Sequence, residues 1–506
     1  MKLKVNRSPG IDELSPKLLK ELAEELTEPV TMLYRTSLAE SELPEDWLKS
    51  VISTIYKTGK KCLAENCRPV SLTCILCKGM ETMIRDHIVN HMLDNNLFSP
   101  CQYGFLAKRS TTLQLLKALD DWTEALDNGF EVDVIYTDFQ KAFDKVPHQR
   151  LLGKMKAYGI SQEIIDWTAK FITQRKQKVV INGESSSWKK VTSGVPQGSV
   201  LGPILFVIYI NDLPEITLSK LLLFADDSKI YRQIRNVMDQ IDMQTDLHRM
   251  FLWSEKWLRK FHPGKLKKLT ISTGRKEDEY RTYFVGPMRV KETECEKDLG
   301  VKVDNSLNFK QHIAAKVKTA NGMVGAVRRS FRYLDVPTFR LLFKGLVRHH
   351  LEYAVNVWTP YHETQIDKIE GVQKRATSML PEMKGLEYEE RLKVIGLPLL
   401  KHRRNRADMI ELYKIIDHKY DQSLCPNIIM RKEITLKESR LNSHALFQSR
   451  CTKELRKNYF SQRATPIWNS LPEKVVNATS TESFKVNLDK HWANQPAVFN
   501  HKCHLT

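Results

Sequence analysis

The chain has 506 residues, too many for a single hydrophobic core, and its length predicts about two to four domains. Hydrophobic residues make up 42% of it, enough for packed cores, which excludes a chain that is disordered throughout. Lys and Arg outnumber Asp and Glu by 79 to 60, and the formal charge of +19 favours a polyanionic partner. Nucleic acid is the first candidate, an anionic membrane the second, and a basic protein without such a partner the alternative.

Neither secretion nor membrane insertion is indicated by the sequence. The nine cysteines are scattered and no signal peptide is visible, so we expect a reducing intracellular compartment, the nucleus or the cytoplasm. The longest apolar stretch, residues 200–210, is well short of the roughly 20 residues that span a bilayer. We interpret it as a buried helix and expect no membrane partner. Cys74 and Cys77 form a CxxC pair that could bind zinc, but two buried small residues are the interpretation we prefer.

Secondary-structure signals change along the chain. The first part is mostly helical, a long segment then mixes short strands with helices, and the remainder is helical and basic. Within the mixed segment, residues 51–56 fit a strand, and residues 75–92 and 111–126 fit amphipathic helices. The divisions that these signals predict are 1–45, 46–305, 306–360 and 361–506.

A carboxylate stands at the end of a predicted strand. Residues 132–137 are rich in β-branched and aromatic side chains, which favour strands. Because side chains alternate between faces, Val132, Val134, Tyr136 and Asp138 share one face. Asp138 then lies where the strand runs out, as an exposed carboxylate that can hold a metal. The alternative is an N-cap for a following helix.

Two further carboxylates are adjacent in the sequence. Asp226 and Asp227 are flanked by apolar residues on both sides, which suits a β-hairpin with both acids at its tip. Adjacent carboxylates repel each other, and Mg²⁺, a hard ion that prefers oxygen ligands, would remove that cost. Together with Asp138 they could hold two ions roughly 3.5–4 Å apart, an arrangement suited to in-line phosphoryl transfer. In such a site the protein contributes positioning and electrostatics.

Several segments, in this order, resemble motifs of the reverse transcriptases of non-LTR retrotransposons. Residues 224–227, Phe-Ala-Asp-Asp, resemble the signature hairpin, and residues 138–148 resemble the companion aspartate motif. Residues 193–203 resemble the motif that contacts template and nucleotide. The C-terminal part is similar to that of jockey-like and chicken-repeat-like elements. The matching segments are 8–12, 66–72, 102–105, 138–148, 193–203, 224–227, 372–377, 403–404 and 468–472.

The resemblance implies an α+β right-hand polymerase with fingers, palm and thumb, followed by a helical C-terminal region. It implies an RNA-directed DNA polymerase that uses an RNA template, a DNA primer, dNTPs and two Mg²⁺ ions, with Mn²⁺ as a substitute. Asp138, Asp226 and Asp227 would be the metal ligands, and the backbone carbonyl of Phe139 could add an oxygen.

Other matched positions imply contacts to the nucleotide. Phe143 stands where a bulky ring would crowd a ribose 2′-hydroxyl, with core packing as the alternative. Arg68 would pair with the triphosphate, unless it forms a structural salt bridge. Gln197 and Gly198 would contact the nucleotide sugar and the templating base, unless they only shape the entry to a helix.

Lys265 resembles the lysine that protonates the leaving pyrophosphate as a general acid. Here the sequence departs from the family pattern. His262 stands where the family usually has Asn, and Leu266 where it has Cys. Lys267 and Lys268 are competitors for the same role.

The basic helices after residue 306 fit a thumb that grips nucleic acid, and a solvated helix face is the alternative. The chain opens near the motif at residues 8–12, without the endonuclease that such elements usually encode, so we expect a truncated retrotransposon product. A catalytically inactive nucleic-acid-binding remnant of the same fold is the alternative function. An RNA-templated enzyme that makes RNA is a third, against which Phe143 speaks.

Overall fold

The structure is a computed structural model that describes residue 5 and residues 8–57, 59–272, 274, 281–434 and 442–503. Its strands form two larger sheets and two short hairpins. In chain order the strands are β1 (Lys49–Tyr56), β2 (Cys67–Leu72), β3 (Glu131–Asp138), β4 (Lys176–Ile181), β5 (Glu184–Ser185), β6 (Lys189–Lys190), β7 (Lys220–Phe224), β8 (Asp227–Ile234), β9 (Lys267–Ile271), β10 (Phe284–Val285), β11 (Met288–Arg289), β12 (Lys291–Glu292), β13 (Cys295–Asp298) and β14 (Val301–Asp304).

Helices dominate both ends of the described chain, as the sequence predicts. The strands and helices predicted around residues 51–56, 75–92 and 111–126 are confirmed as β1, α3 and α4. In chain order the α-helices are α1 (Pro16–Glu21), α2 (Ala23–Ala39), α3 (Ile75–Asp94), α4 (Thr111–Asp127), α5 (His148–Ala157), α6 (Gln162–Thr173), α7 (Gly202–Ile210), α8 (Val237–Lys256), α9 (Lys310–Ser330), α10 (Val336–Leu342), α11 (His349–Glu352), α12 (Val355–Trp358), α13 (Glu363–Thr377), α14 (Tyr388–Ile395), α15 (Leu400–Ile416), α16 (Arg431–Ile434), α17 (Glu454–Lys457), α18 (Phe460–Asn469), α19 (Glu473–Val476) and α20 (Thr481–Trp492).

The central sheet has the strand order β12-β9-β3-β8-β7. β3 lies in its middle and pairs antiparallel with both β8 and β9. Val132 and Val134 pack into a core that includes α4, whereas Ile135 packs on the opposite face into a core that includes α7. Six of the eight residues of β3 are buried, because the strand is covered on both faces.

A second sheet has the strand order β2-β1-β4-β5, with β6 paired to β4. Among the described residues, none of its strands pairs with a strand of the central sheet. β1 is antiparallel to β2 and parallel to β4. This sheet carries the predicted fingers segment at residues 66–72.

The prediction of a buried helix at residues 200–210 is confirmed by α7. All of its nine residues except Pro203 are buried, which is the pattern of a helix enclosed on every side. Cys74 and Cys77 are also fully buried, at the start of α3. None of the helices in the described part of the chain is both long and apolar enough to cross a bilayer.

The C-terminal helices dock on α4, which backs the central sheet. Arg456 in α17 forms a buried ion pair with Asp120 in α4, with 2.7 Å between Nη1 and Oδ1. The Tyr459 hydroxyl donates to the Leu116 carbonyl. One continuous hydrophobic core runs from α4 and the central sheet through α9 to α15, α18 and α20. The C-terminal region is therefore packed against the body that carries the site.

Candidate active site

The predicted carboxylates meet where the central strand β3 ends and the hairpin between β7 and β8 turns. β3 ends at Asp138, and the register of β3 with β8 places Asp138 directly opposite Asp227. Directly opposed residues on antiparallel strands have Cβ atoms about 4.5–5.5 Å apart. Asp226 occupies the turn between β7 and β8, since Phe224 pairs with Asp227. The predicted hairpin is confirmed. The alternative of Asp138 as a helix N-cap is wrong, because the next helix begins at His148.

The turn that carries Asp226 is held from outside the hairpin. Ala225 has a φ of 54°, in the left-handed region that a non-glycine residue rarely adopts. The Gln102 side-chain oxygen accepts hydrogen bonds from the backbone N–H groups of Ala225, at 2.9 Å, and of Gly104, at 2.8 Å. A Cβ on Gly104 would lie 2.5 Å from the Ala225 nitrogen, so only glycine permits this approach. The predicted finger element at residues 102–105 thus shapes the acidic turn.

Burial and mutual repulsion raise the pKa values of both hairpin carboxyls. For Asp226, burial raises the pKa first and the charge of Asp138 second, while Lys265 and Arg68 oppose the shift. For Asp227, burial, Asp226 and Asp138 raise the pKa to about 6. The carboxylate cluster therefore carries a cost that a cation would relieve.

Lys265 neutralises part of this cluster. It ends a short 3-10 turn, Pro263–Lys265, and its ammonium group forms an ion pair with the Asp138 carboxylate. Asp138 is 8% exposed, so the prediction of an exposed carboxylate is wrong, because this turn lies against the end of β3. The backbone supports the contact: the His262 N–H donates to the Asp138 carbonyl at 2.8 Å.

His262 and Leu266, the two residues that depart from the family pattern, both fit the turn around Lys265. His262 Nδ1 accepts a hydrogen bond from the Gly264 N–H at 3.2 Å, the kind of bond that an asparagine side chain makes in a turn. Leu266 is fully buried in the core. The competing lysines point elsewhere, since Lys267 pairs with Glu296 and Lys268 with Glu292. Of these three lysines, Lys265 alone contacts a predicted metal ligand.

A cleft of about 640 Å³ opens beside the carboxylates. Asp138, Asp227 and Lys265 line it from the central sheet. Lys57 lines it from the end of β1, and Tyr353 from the helical segment after β14. A cleft bordered by three parts of the chain, with acids on its floor, has room for an extended ligand.

The two predicted phenylalanines are anchored in the core next to the acids. The Phe139 ring is buried and stacks on Phe261, with 4.8 Å between centroids. Its carbonyl accepts no hydrogen bond from any described residue, so this oxygen is free for another ligand. Phe143 is half-buried, stacks on Phe206 at 4.6 Å and meets Phe105 edge-on at 6.2 Å. Core packing thus fixes the Phe143 ring while part of it stays accessible.

Gln197 and Gly198 contact strand β2 of the second sheet, and Gln197 also contacts Asp144, which follows β3. The Ser71 N–H in β2 donates to the Gln197 carbonyl at 2.6 Å, and Gln197 Nε2 donates to Asp144 Oδ1 at 3.0 Å. Gly198 has a φ of 113°, and a Cβ there would lie 2.6 Å from the Ser71 oxygen. The close approach that requires glycine is therefore to β2.

Arg68 extends from β2 and is exposed. It makes no ion pair with any residue that the structure describes, so the alternative of a structural salt bridge is not realised. Its charge nevertheless lowers the pKa of Asp226, which places the guanidinium within electrostatic range of the acidic turn.

Sequence reasoning missed two buried polar residues that shape the site. Glu81, in α3, accepts the N–H groups of Val200 and Leu201 at 2.7 and 3.0 Å, just ahead of α7. Arg259 is 1% exposed and lies over the Phe139 ring, 5.4 Å from its centroid. The sequence carried no clear signal for either, because Arg259 stands beside Lys260 among other basic residues and Glu81 is one of several charged residues on α3.

The donor set fits a divalent cation chemically. Across the described ranges, no group of three or more His, Cys, Asp or Glu side chains is arranged closely enough to hold a metal ion. The oxygens of Asp138, Asp226 and Asp227 are nevertheless the hard ligands that Mg²⁺ prefers, and their repulsion is of the kind that a cation offsets. The Lys265 ammonium already provides one positive charge at Asp138.

An acidic hairpin lies beside a third strand-end acid on a helix-backed sheet, next to a second five-stranded sheet and basic helices. This α+β arrangement is the one that the resemblance to right-hand polymerases implies. The family model for reverse transcriptase (RNA-dependent DNA polymerase) matches residues 55–334. This is more than half of the chain, and the chain belongs to this family. The resemblance drawn from the motifs is confirmed.

Curated relatives come from mobile elements. The chain is 27% identical over 415 residues to the RNA-directed DNA polymerase from mobile element jockey of Drosophila funebris, covering 79% of this chain and 44% of that relative. It is 25% identical over 389 residues to the probable RNA-directed DNA polymerase from transposon X-element of Drosophila melanogaster, covering 74% and 42%. The chain thus spans less than half the length of these relatives.

Among solved structures, telomerase from Candida albicans in complex with a fragment of telomeric RNA aligns with a TM-score of 0.38 at 11% identity. The alignment covers 76% of this chain and 69% of that one.

Proposed function

We propose that the chain is an RNA-directed DNA polymerase that extends a DNA primer on an RNA template with dNTPs. The observation that carries the proposal is the register of β3 and β8, which sets Asp138 opposite Asp227 at the floor of the cleft. Membership of the reverse transcriptase family supports the choice of reaction. The net charge of +19 supports nucleic acid as the partner.

Asp138, Asp226 and Asp227 would hold two Mg²⁺ ions, and the free carbonyl of Phe139 could add an oxygen. When bound, the ions supply the Lewis acidity that lowers the pKa of a primer 3′-hydroxyl and stabilises the departing pyrophosphate. The hairpin supplies these oxygens on a turn that Gln102 fixes, so little reorganisation is needed. Lys265 would give up Asp138 to the ions and donate its proton to the pyrophosphate.

The matched residues of the fingers and the loop after β3 would select the nucleotide. Arg68, exposed and unpaired among the described residues, is available for the triphosphate. Phe143, fixed by Phe206, would crowd a ribose 2′-hydroxyl and favour deoxynucleotides. Gln197 and Gly198, which lie against β2, would contact the nucleotide sugar and the templating base.

A second candidate is a nucleic-acid-binding remnant of the same fold that lacks catalysis. The ion pair of Lys265 with Asp138 favours it, because an ammonium group that stays in place would compete with a metal ion.

Primer extension on an RNA template tests both candidates. We expect incorporation of dNTPs that requires Mg²⁺ or Mn²⁺, stops on chelation and is lost in Asp226→Asn, with rNTPs incorporated poorly. The matched control is Asp367→Asn, an exposed acid on α13 away from the cleft, which should retain full activity. Template binding without any product would overturn the polymerase in favour of the remnant. Equal use of rNTPs would overturn the assignment of Phe143.

A further inference from the structure

A second cavity lies in the helical region beyond the catalytic cleft. It measures about 230 Å³ and is formed between α11, α12 and α15. Leu351, Val355 and Ala407 give it an apolar wall. Its polar lining includes Arg403, Arg404 and Arg406. We call this cavity the Arg404 pocket.

Arg404 is the unusual member of this lining. The residue is 3% exposed, yet its guanidinium forms no hydrogen bond or ion pair with any residue that the structure describes. Burial lowers its pKa to about 10. A buried charge without hydrogen-bond partners is costly, and such groups in proteins are normally satisfied. The open pocket in front of Arg404 is where a missing acceptor would fit.

The carboxylates nearest to Arg404 are engaged by other groups. Glu370 and Asp408 both act on the Arg404 charge, but from beyond hydrogen-bond distance. Glu370 accepts the Tyr388 hydroxyl at 2.6 Å and the Leu400 N–H at 3.0 Å. Asp408 accepts from Arg463 Nε at 2.9 Å. The protein therefore compensates Arg404 only at a distance, and the five donors of its fork remain available.

Further cations lie next to the residues that line the pocket. Burial, and then the nearby charges of Arg403 and Arg406, lower the pKa of Arg348. Arg348 and Arg403 share one carboxylate, Glu352. Lys344 lies next to this group, and its pKa is lowered by burial and then by Arg348, Arg340 and Arg403. Arg406 pairs with Asp489, and Glu352 and Glu411 also line the pocket. The cations around the pocket still outnumber these carboxylates, and Arg340 and Lys344 extend the positive charge along the helical surface.

We infer that the Arg404 pocket binds a phosphate group of a nucleic-acid backbone, as an anchor separate from the catalytic cleft. The guanidinium fork matches phosphate oxygens bidentately. A polymer of phosphates fits better than a single anion because the exposed cations Arg340 and Lys344 continue the site along the surface. The inference rests on the proposed function only in that the anchored strand is the RNA that the enzyme copies.

The test compares Arg404→Met with the wild-type chain in RNA binding, measured across a salt series without dNTPs. We expect Arg404→Met to bind RNA about tenfold more weakly. Its salt slope should fall by about one unit. Arg404→Lys keeps the charge but lacks the fork, and should recover only part of the affinity. The control Arg375→Met removes an exposed arginine on α13 and should change neither quantity.

Two measurements keep the inference testable if a variant is unstable. RNA-free Arg404→Met should unfold at the same temperature as the wild type or higher, since an unsatisfied charge is removed. In the wild type, inorganic phosphate at constant ionic strength should compete with RNA. Phosphate that stabilises the wild type while Arg404→Met keeps full RNA affinity would overturn the backbone assignment in favour of a free anion. An unchanged affinity with no phosphate effect would overturn the site itself. Because no dNTPs are used, these outcomes are independent of whether the chain polymerises.

Discussion

At the scale of single residues, Arg259 is a buried cation near Asp226, one of the acids of the candidate site. None of its three side-chain nitrogens has a hydrogen-bond partner among the described residues. Its guanidinium lies over Phe139 and Phe206, with 5.4 and 5.9 Å to the ring centroids. Burial lowers its pKa to about 10, against the opposing influence of Tyr209 and Asp226. Cation–π contact offsets only part of the cost of burying this charge.

Replacing Arg259 with methionine should stabilise the metal-free protein. The thioether chain fills a similar space without an unsatisfied charge, and we expect the free energy of unfolding to rise by about 1–3 kcal/mol. Denaturant unfolding measures this. Arg85→Met, on the surface of α3, serves as the control and should stay within about 0.5 kcal/mol of the wild type. A loss of stability in Arg259→Met would mean that the ring contacts and Asp226 outweigh desolvation.

Two buried histidines, His312 and His402, make stability sensitive to acid. Burial is the largest cause that lowers each pKa from 6.5 to about 4. Between pH 6.5 and 4 these two histidines are therefore protonated in the unfolded chain but neutral in the folded chain. The free energy of unfolding should fall as the pH drops through this window, by about 3 kcal/mol for each histidine.

The measurement is denaturant unfolding at a series of pH values for the wild type and for His402→Phe, which keeps a ring against Trp492. Between pH 6.5 and 4 the variant should lose about 3 kcal/mol less stability than the wild type, because groups common to both proteins, such as Asp227 with its raised pKa, contribute equally to each. The same loss of stability with pH in both proteins would contradict the assignment.

At the scale of elements, the acidic hairpin depends on a loop far away in the sequence. Gln102, 1% exposed, holds both Ala225 and its own loop through Gly104. Gln102 also forms an isolated parallel β-bridge with Leu223, so the backbones of the loop and of β7 are paired at this point. The position of Asp226 is thus fixed by a residue that has no role in the proposed chemistry.

Replacing Gln102 with leucine should therefore reduce both catalysis and the stability of the fold. Two buried N–H groups lose their acceptor, at about 1–3 kcal/mol each, and the turn that presents Asp226 loosens. In the primer-extension assay we expect kcat to fall at least about tenfold while RNA affinity is retained. Gln162→Leu, at an exposed site on α6, is the control. Wild-type kcat in Gln102→Leu would show that the hairpin holds its shape unaided.

At the scale of the whole molecule, the C-terminal helices and the central sheet form one packed unit. Asp120, 2% exposed, accepts from Arg456 and also from the Asn427 N–H at 2.8 Å. Arg456 donates as well to the Thr123 hydroxyl at 2.8 Å. This buried network joins α17 to α4, the helix that backs β3. The C-terminal region therefore supports the strand that carries Asp138.

Breaking this network should destabilise the protein far from the cleft. Arg456→Met leaves the Asp120 carboxylate buried and unpaired, which costs about 3–5 kcal/mol. We expect a lower unfolding midpoint and faster limited proteolysis of the C-terminal region. The double variant Asp120→Asn/Arg456→Met should recover part of the loss, because it removes both charges. Additive losses in the double variant would argue that the two residues do not act together.

The local pattern of the sequence determined the parts of the site that depend on neighbouring residues. The alternation in β3, the apolar flanks of Asp226 and Asp227 and the continuous apolar run of α7 each identified an element without knowledge of its partners. Side-chain periodicity is a property of the backbone, so these signals survive in any tertiary context.

Only the tertiary structure decided how these elements are held together. Gln102 meets Ala225 across 123 positions, and Arg456 meets Asp120 across 336. It also selected Lys265 from three neighbouring lysines and left Arg404 facing an open pocket. Such contacts have no period in the sequence, because they depend on which surfaces folding brings together. A polar residue in an apolar segment indicates only that it needs a hydrogen-bonding or charged partner. The tertiary structure determines which residue that partner is.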